Sequence, residues 1–170
     1  SFVTLSWSQR LHCCATLTSF TEAGASMGSI ELEEPVSSPR PPLSMAWSGR
    51  ELGIARLADF APTGGHLGLD FERWSTEGAR LGPTVRVATG PPWRGGGDVA
   101  WDGTSWRVAW IDSDASGAFS LRVAQIDAGV GLVVDDRALR ASPAWLGLLD
   151  VARIGAGFVV AWTEPGSAAG

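Results

Sequence analysis

The chain has 170 residues, 45% of them hydrophobic, which is enough to bury a sizeable core and too apolar for wholesale disorder. Its net charge is −5, and its 13 basic residues, all arginine, nowhere gather beyond one or two, so nucleic acid is not an expected partner. No apolar run approaches the roughly 20 residues that a membrane-spanning helix needs, so no transmembrane segment is expected.

The N-terminal stretch shows no charged region followed by an apolar one, so a signal peptide is removed, upstream or absent, and location has to be inferred indirectly. Cys13 and Cys14 are adjacent and cannot bridge each other, because disulfide geometry wants separated Cα atoms. With His12 they form a run of soft donors, but neighbours on a strand point to opposite faces, so no metal site is expected there.

The strongest sequence signal is an internal repeat. Asp98-Val99-Ala100-Trp101-Asp102-Gly103, continuing through Trp106 to Trp110, falls on Asp150-Val151-Ala152, Gly155 and Phe158 to Trp162 at a shift of 52. A backward shift of 54 lays Ala46-Trp47-Ser48-Gly49 on Ala100-Trp101-Asp102-Gly103, and Phe20 to Gly28 on Trp74 to Gly82. The units are a partial blade at 1–42, blades at 43–95 and 96–146, and a partial blade at 147–170.

Within the best unit, four runs rich in Val, Ile, Trp and Phe are separated by Gly, Asp and Ser clusters. They predict strands at Asp98 to Trp101, Trp106 to Ile111, Phe119 to Asp127 and Leu132 to Ala138. In the second, Trp106, Val108 and Trp110 share one face while Arg107, Ala109 and Ile111 share the other. A strand so apolar on both faces has to be covered on both, as in a sheet stacked between two neighbours. The expected fold class is all-β, a partial β-propeller built from four-stranded antiparallel blades of 52 to 54 residues. About four to eight blades close such a ring, so the chain reads as a piece of one, and its open blade edges offer a route to self-association.

The phrases Val-Ala-Trp-Asp-Gly, Val-Ala-Trp-Ile-Asp and Leu-Arg-Val-Ala-Gln-Ile-Asp-Ala-Gly resemble the repeats of exported bacterial propeller proteins of the myxobacterial type. The resemblance covers the chain from about residue 43 onward, and the last unit departs from it with Arg153-Ile154 in place of Trp-Asp. It implies an extracellular, cell-surface or periplasmic scaffold, with no activity attached.

Asp112-Ser113-Asp114-Ala115-Ser116-Gly117 resembles a calcium loop, with Asp112, Asp114 and Ser116 as donors. No carboxylate follows at the ninth or twelfth loop position, so a polar hairpin turn competes with that reading. Asp102-Gly103-Thr104-Ser105-Trp106 resembles the Asp-box of sialidase-type propellers, but that box has one more residue between Asp and Gly, which leaves a type I′ hairpin turn. Trp93 and Trp145 lie 52 apart in connections between units, where an indole either stacks on a sugar or plugs the gap between blades. Neither His12 nor His66 lies in a nucleophile or base motif, and the adjacent acids Asp135 and Asp136 diverge on an outer strand.

The expected function is therefore a noncatalytic binding or interaction scaffold, its ligand a protein or a carbohydrate, with no cofactor other than a calcium ion at the loop just described. The competing expectation is part of a sialidase or glycoside-hydrolase propeller whose catalytic acids lie in other blades.

Overall fold

The computed structural model describes residues 2–8, 14–33, 43–60, 66–93, 97–127, 129 and 133–166, and every regular element among them is a β-strand. Strands β1 (Phe2–Ser8), β2 (Cys14–Phe20) and β3 (Ser26–Glu33) form a three-stranded antiparallel sheet. Strands β4 (Leu43–Trp47), β5 (Leu52–Phe60), β6 (His66–Trp74) and β7 (Val85–Trp93) form a four-stranded sheet in sequential order. The same meander recurs in β8 (Gly97–Trp101), β9 (Ser105–Ser113), β10 (Phe119–Asp127) and β11 (Val133–Ser142). Strands β12 (Gly147–Ile154) and β13 (Gly157–Thr163) form an antiparallel pair. The chain is thus all-β with antiparallel four-stranded sheets, and none of the described sheets closes on itself.

Tight turns make the meanders. Gly49, Gly103 and Gly155 take positive φ between β4 and β5, β8 and β9, and β12 and β13, where a two-residue hairpin needs a residue without a Cβ. A longer turn recurs as Thr21 to Ala25, Ser75 to Ala79 and Asp114 to Ala118. In each, the first residue's N–H donates to the last residue's carbonyl, and a side-chain oxygen of the first accepts the last residue's N–H. Ser, Thr and Asp suit that first position because a short oxygen-bearing side chain imitates a backbone acceptor.

The sheets pack face to face. Trp106, Val108 and Trp110 of β9 meet Ala55 and Leu57 of β5 and Leu69 and Phe71 of β6 in one core. Phe71 and Trp106 stand 5.5 Å apart between ring centroids, and the Trp106 indole reaches Glu51 of the preceding sheet at 3.4 Å. On its opposite face β9 sets Ala109, beside Ala100 of β8 and Val123 of β10, against Val151, Phe158 and Val160 of the last pair. The sheet β8 to β11 is therefore covered on both faces, and the alternation along β9 is the reason. Gly53 of β5 makes the close approach: a Cβ there would stand 2.6 Å from the Trp106 ring.

The edges differ. Strand β11 is exposed along most of its length, with Asp136 held by Arg122 at 2.8 Å and Asp135 lying 3.9 Å from Arg137. At the other edge β8 lies beside both β4 and β12, so the first strands of three successive sheets run next to one another.

Candidate functional site

The three adjacent strands β4, β8 and β12 line an open pocket of about 440 Å³, formed by residues 45–49, 98–101 and 150–153. Each supplies equivalent positions, because the segments are offset by 54 and 52 residues. One level carries Ser44, Asp98 and Asp150; another, three residues further on, carries Trp47, Trp101 and Arg153.

Asp98 ties the strands together. Its Oδ1 accepts the hydroxyl of Ser44 from β4, and its Oδ2 accepts the backbone N–H of Val151 from β12. Ser44 in turn accepts the N–H of Val99 at 3.2 Å. Each acceptor therefore takes the N–H of the residue that follows the equivalent position on the first strand of the next sheet. Burial pushes the Asp98 carboxyl above its ordinary range, the bonds from Ser44, Val151 and Val99 pull it back, and a hydrogen bond to the Asp150 carboxyl pushes it up again. The net direction is upward, with burial the largest cause.

Three residues along, the Trp101 ring rests on Trp106 with centroids 4.9 Å apart, while Trp47 is 47% exposed. The side chain of Arg153 lies across Gly103, where a Cβ would stand 2.9 Å from its terminal nitrogen, and its Nε donates to the Gly155 carbonyl at 3.0 Å. The pocket thus presents a half-exposed indole, a guanidinium and a carboxylic acid pair on a frame of backbone-paired strands.

Below it, Asp102 holds the β8–β9 hairpin. Its Oδ1 accepts from Thr104 N, Thr104 Oγ1 and Ser105 N, and its Oδ2 from Ser105 Oγ and from Arg107 Nε at 2.7 Å. Burial raises this carboxyl, but those bonds outweigh it and hold the group well below the usual carboxylate range. Type I′ geometry alone does not require so many acceptor contacts, and the Arg107 contact carries the turn into the strand. Arg107 also lies over the Phe158 ring, 5.2 Å from its centroid.

The residues singled out in the sequence fall elsewhere. Asp114 spends Oδ1 on Ser116 N, Ser116 Oγ and Ala118 N, and Asp112 accepts Ser113 N. Asp114 and Ser116 therefore serve a turn whose counterparts begin with Thr21 and Ser75, and Asp112 lies before that turn in β9. Those bonds, the Ser116 hydroxyl first, hold the Asp114 carboxyl below its usual range. Among the described residues, no three His, Cys, Asp or Glu side chains gather into a metal site.

Trp145 lies between β11 and β12, 56% exposed, with its ring folded over Gly147. Trp93 ends β7, where its backbone pairs with His66, and its indole lies outside the described part of the structure. His12 and Cys13 lie outside the described residues, and Cys14 opens β2 in register with Ser8 and Glu33.

The alignment of Ala46-Trp47 with Ala100-Trp101, and of Asp98 with Asp150, held the signal for the pocket. Equivalent positions in stacked units converge on one place, which inspection of each unit alone misses.

No helix among the described residues is long and apolar enough to cross a membrane. Neither protein-family models nor curated protein sequences return a match to the chain.

Proposed function

We propose that the chain is a segment of a β-propeller that acts as a noncatalytic binding scaffold, taking its ligand in the pocket between β4, β8 and β12. The observation that carries this reading is the meeting of three sheet-initiating strands, each laying the same positions along a single concavity. Successive meanders stacked face to face with their first strands together match the blade arrangement. The acceptor series supports it further: Ser44 takes Val99 N, Asp98 takes Val151 N, and Asp150 stands at the equivalent position on β12. The repeat of 52 to 54 residues is the sequence counterpart of that series. Concavities with a few directed polar groups on a rigid frame are where small ligands bind.

An exported bacterial setting rests on the Ala-Trp-Asp-Gly and Ala-Trp-x-Asp phrases. The enzymatic alternative, a sialidase or glycoside hydrolase, would take its catalytic acids from other blades. The two differ in outcome: a scaffold binds without turnover, whereas a hydrolase releases reducing sugar from glycoside substrates.

The test is chemical-shift mapping of the full chain with a small-molecule fragment library. Binding that perturbs the Trp47 and Trp101 indole signals supports the scaffold reading. Perturbations confined to other surfaces overturn it.

A further inference from the structure

We propose that two copies of this chain close one ring of sheets, β12 of each copy covering β4 of the other. This rests on the propeller part of the reading above and not on the pocket's ligand. Within one chain the same contact is made twice. Strand β4 turns Ser44 and Ala46 toward β8, and β8 turns Asp98 and Ala100 toward β12. The covering strand answers with its alternate residues, Val99 and Trp101 on β8, Val151 and Arg153 on β12.

Both halves of that contact stand open at opposite sides of the stack. On β12, Asp150, Ala152 and Ile154 share with Val159 and Ala161 the face turned away from β8–β11, and all five are exposed. On β4, Met45 and Trp47 turn away from the core shared with β9. Trp47 is exposed although Leu52, opposite it in the ladder, is buried, so the cover over β5 stops short of β4. The open faces match position by position. Ala152 stands where Ala46 and Ala100 stand, and Met45 where Val99 and Val151 stand. Met45, Val99 and Val151 lie opposite Ile54, Val108 and Val160, so the Met45 N–H turns away from its sheet as the other two do. Asp150 of the second copy is then the acceptor for Met45 N–H, continuing the series of Ser44 with Val99 and Asp98 with Val151.

The strands also come to a closed count. Among the described residues the sheet β1–β3 has no counterpart of β4, and β12 is such a counterpart. With thirteen described strands each, two copies supply six sheets of four with two strands over, β1 or β13 of each copy being a duplicate second strand. About four to eight such sheets close a ring, and three copies exceed that number.

Sedimentation equilibrium of the full chain over a range of concentrations is the test. The expected result is a saturating rise from 17.8 kDa to twice that mass, with the Trp47 indole signal moving in step and without added ligand. Ala152→Arg and Trp47→Glu should each weaken association tenfold or more, and Asp150→Ala severalfold. All three side chains are exposed in the single chain, and unchanged signals from the buried Trp106 and Trp110 show that the variants fold. A chain that stays at 17.8 kDa, a mass that grows without limit, or a dimer that survives both Ala152→Arg and Trp47→Glu overturns the proposal. None of these outcomes decides the pocket reading, whose fragment-induced shifts are read at one fixed chain concentration.

Discussion

Asp98 accepts the backbone N–H of Val151, a residue 53 positions further along and in the next sheet, just as Ser44 accepts that of Val99. A side chain on the first strand of one sheet thus satisfies a backbone donor on the first strand of the next, at an edge that the sheet itself leaves open. Such a bond fixes the register between sheets, which face-to-face apolar packing alone leaves loose.

Replacing Asp98 by Ala leaves the Val151 amide and the Ser44 hydroxyl without their acceptor in a half-buried place. The expected loss is about 1–3 kcal/mol of unfolding free energy, read by urea denaturation. Asp98→Asn keeps an acceptor oxygen and removes the repulsion of a second carboxylate at Asp150, so it should lose far less.

The pH dependence of these variants has a definite sign. Asp98 titrates above its ordinary value, so between the unfolded value near 3.9 and the higher folded one the native state holds the extra proton, and its contribution falls as pH rises. Asp98→Asn should therefore gain stability relative to the parent as pH rises from about 4 toward neutrality, measured by denaturation at a series of pH values.

Asp102 carries the opposite sign. Its depressed carboxyl gives stability that is present above the unfolded aspartate value and is lost as pH falls toward the folded one. Asp102→Ala should cost about 2–4 kcal/mol at neutral pH, and the difference from the parent should shrink in acid.

Gly53→Ala tests the contact between the second and third sheets. The added methyl would stand 2.6 Å from Trp106 and 2.9 Å from Phe71, both fully buried. Overpacking of that kind costs about 1–3 kcal/mol, and a thermal melt together with Trp106 fluorescence reads it.

The all-β class, the antiparallel meander and the two-faced burial of β9 were legible, because alternation is a local property. The predicted strand at Phe119 to Asp127 matches β10, whereas β9 runs to Ser113 and β11 to Ser142, past the predicted ends. Both extensions end on a serine held by a ladder partner, Ser113 by Phe119 and Ser142 by Phe119 again, which composition does not register. The pocket was illegible for a different reason. Ser44, Asp98 and Asp150 are unremarkable one at a time, and only the lateral contact of three sheets makes them neighbours. Asp112 and Asp114 drew attention as carboxylates, yet the turn geometry at Asp114 is met equally well by Thr21 and Ser75.

Amide hydrogen exchange at Val99 and Val151 tests most directly whether β4, β8 and β12 are linked in this way. Asp98→Ala should speed exchange of the Val151 amide at least tenfold, and Ser44→Ala should do the same for Val99, each with a smaller effect at the other site. If both amides exchange as in the parent chain, the strands are not joined by these bonds and the arrangement around β4, β8 and β12 is contradicted.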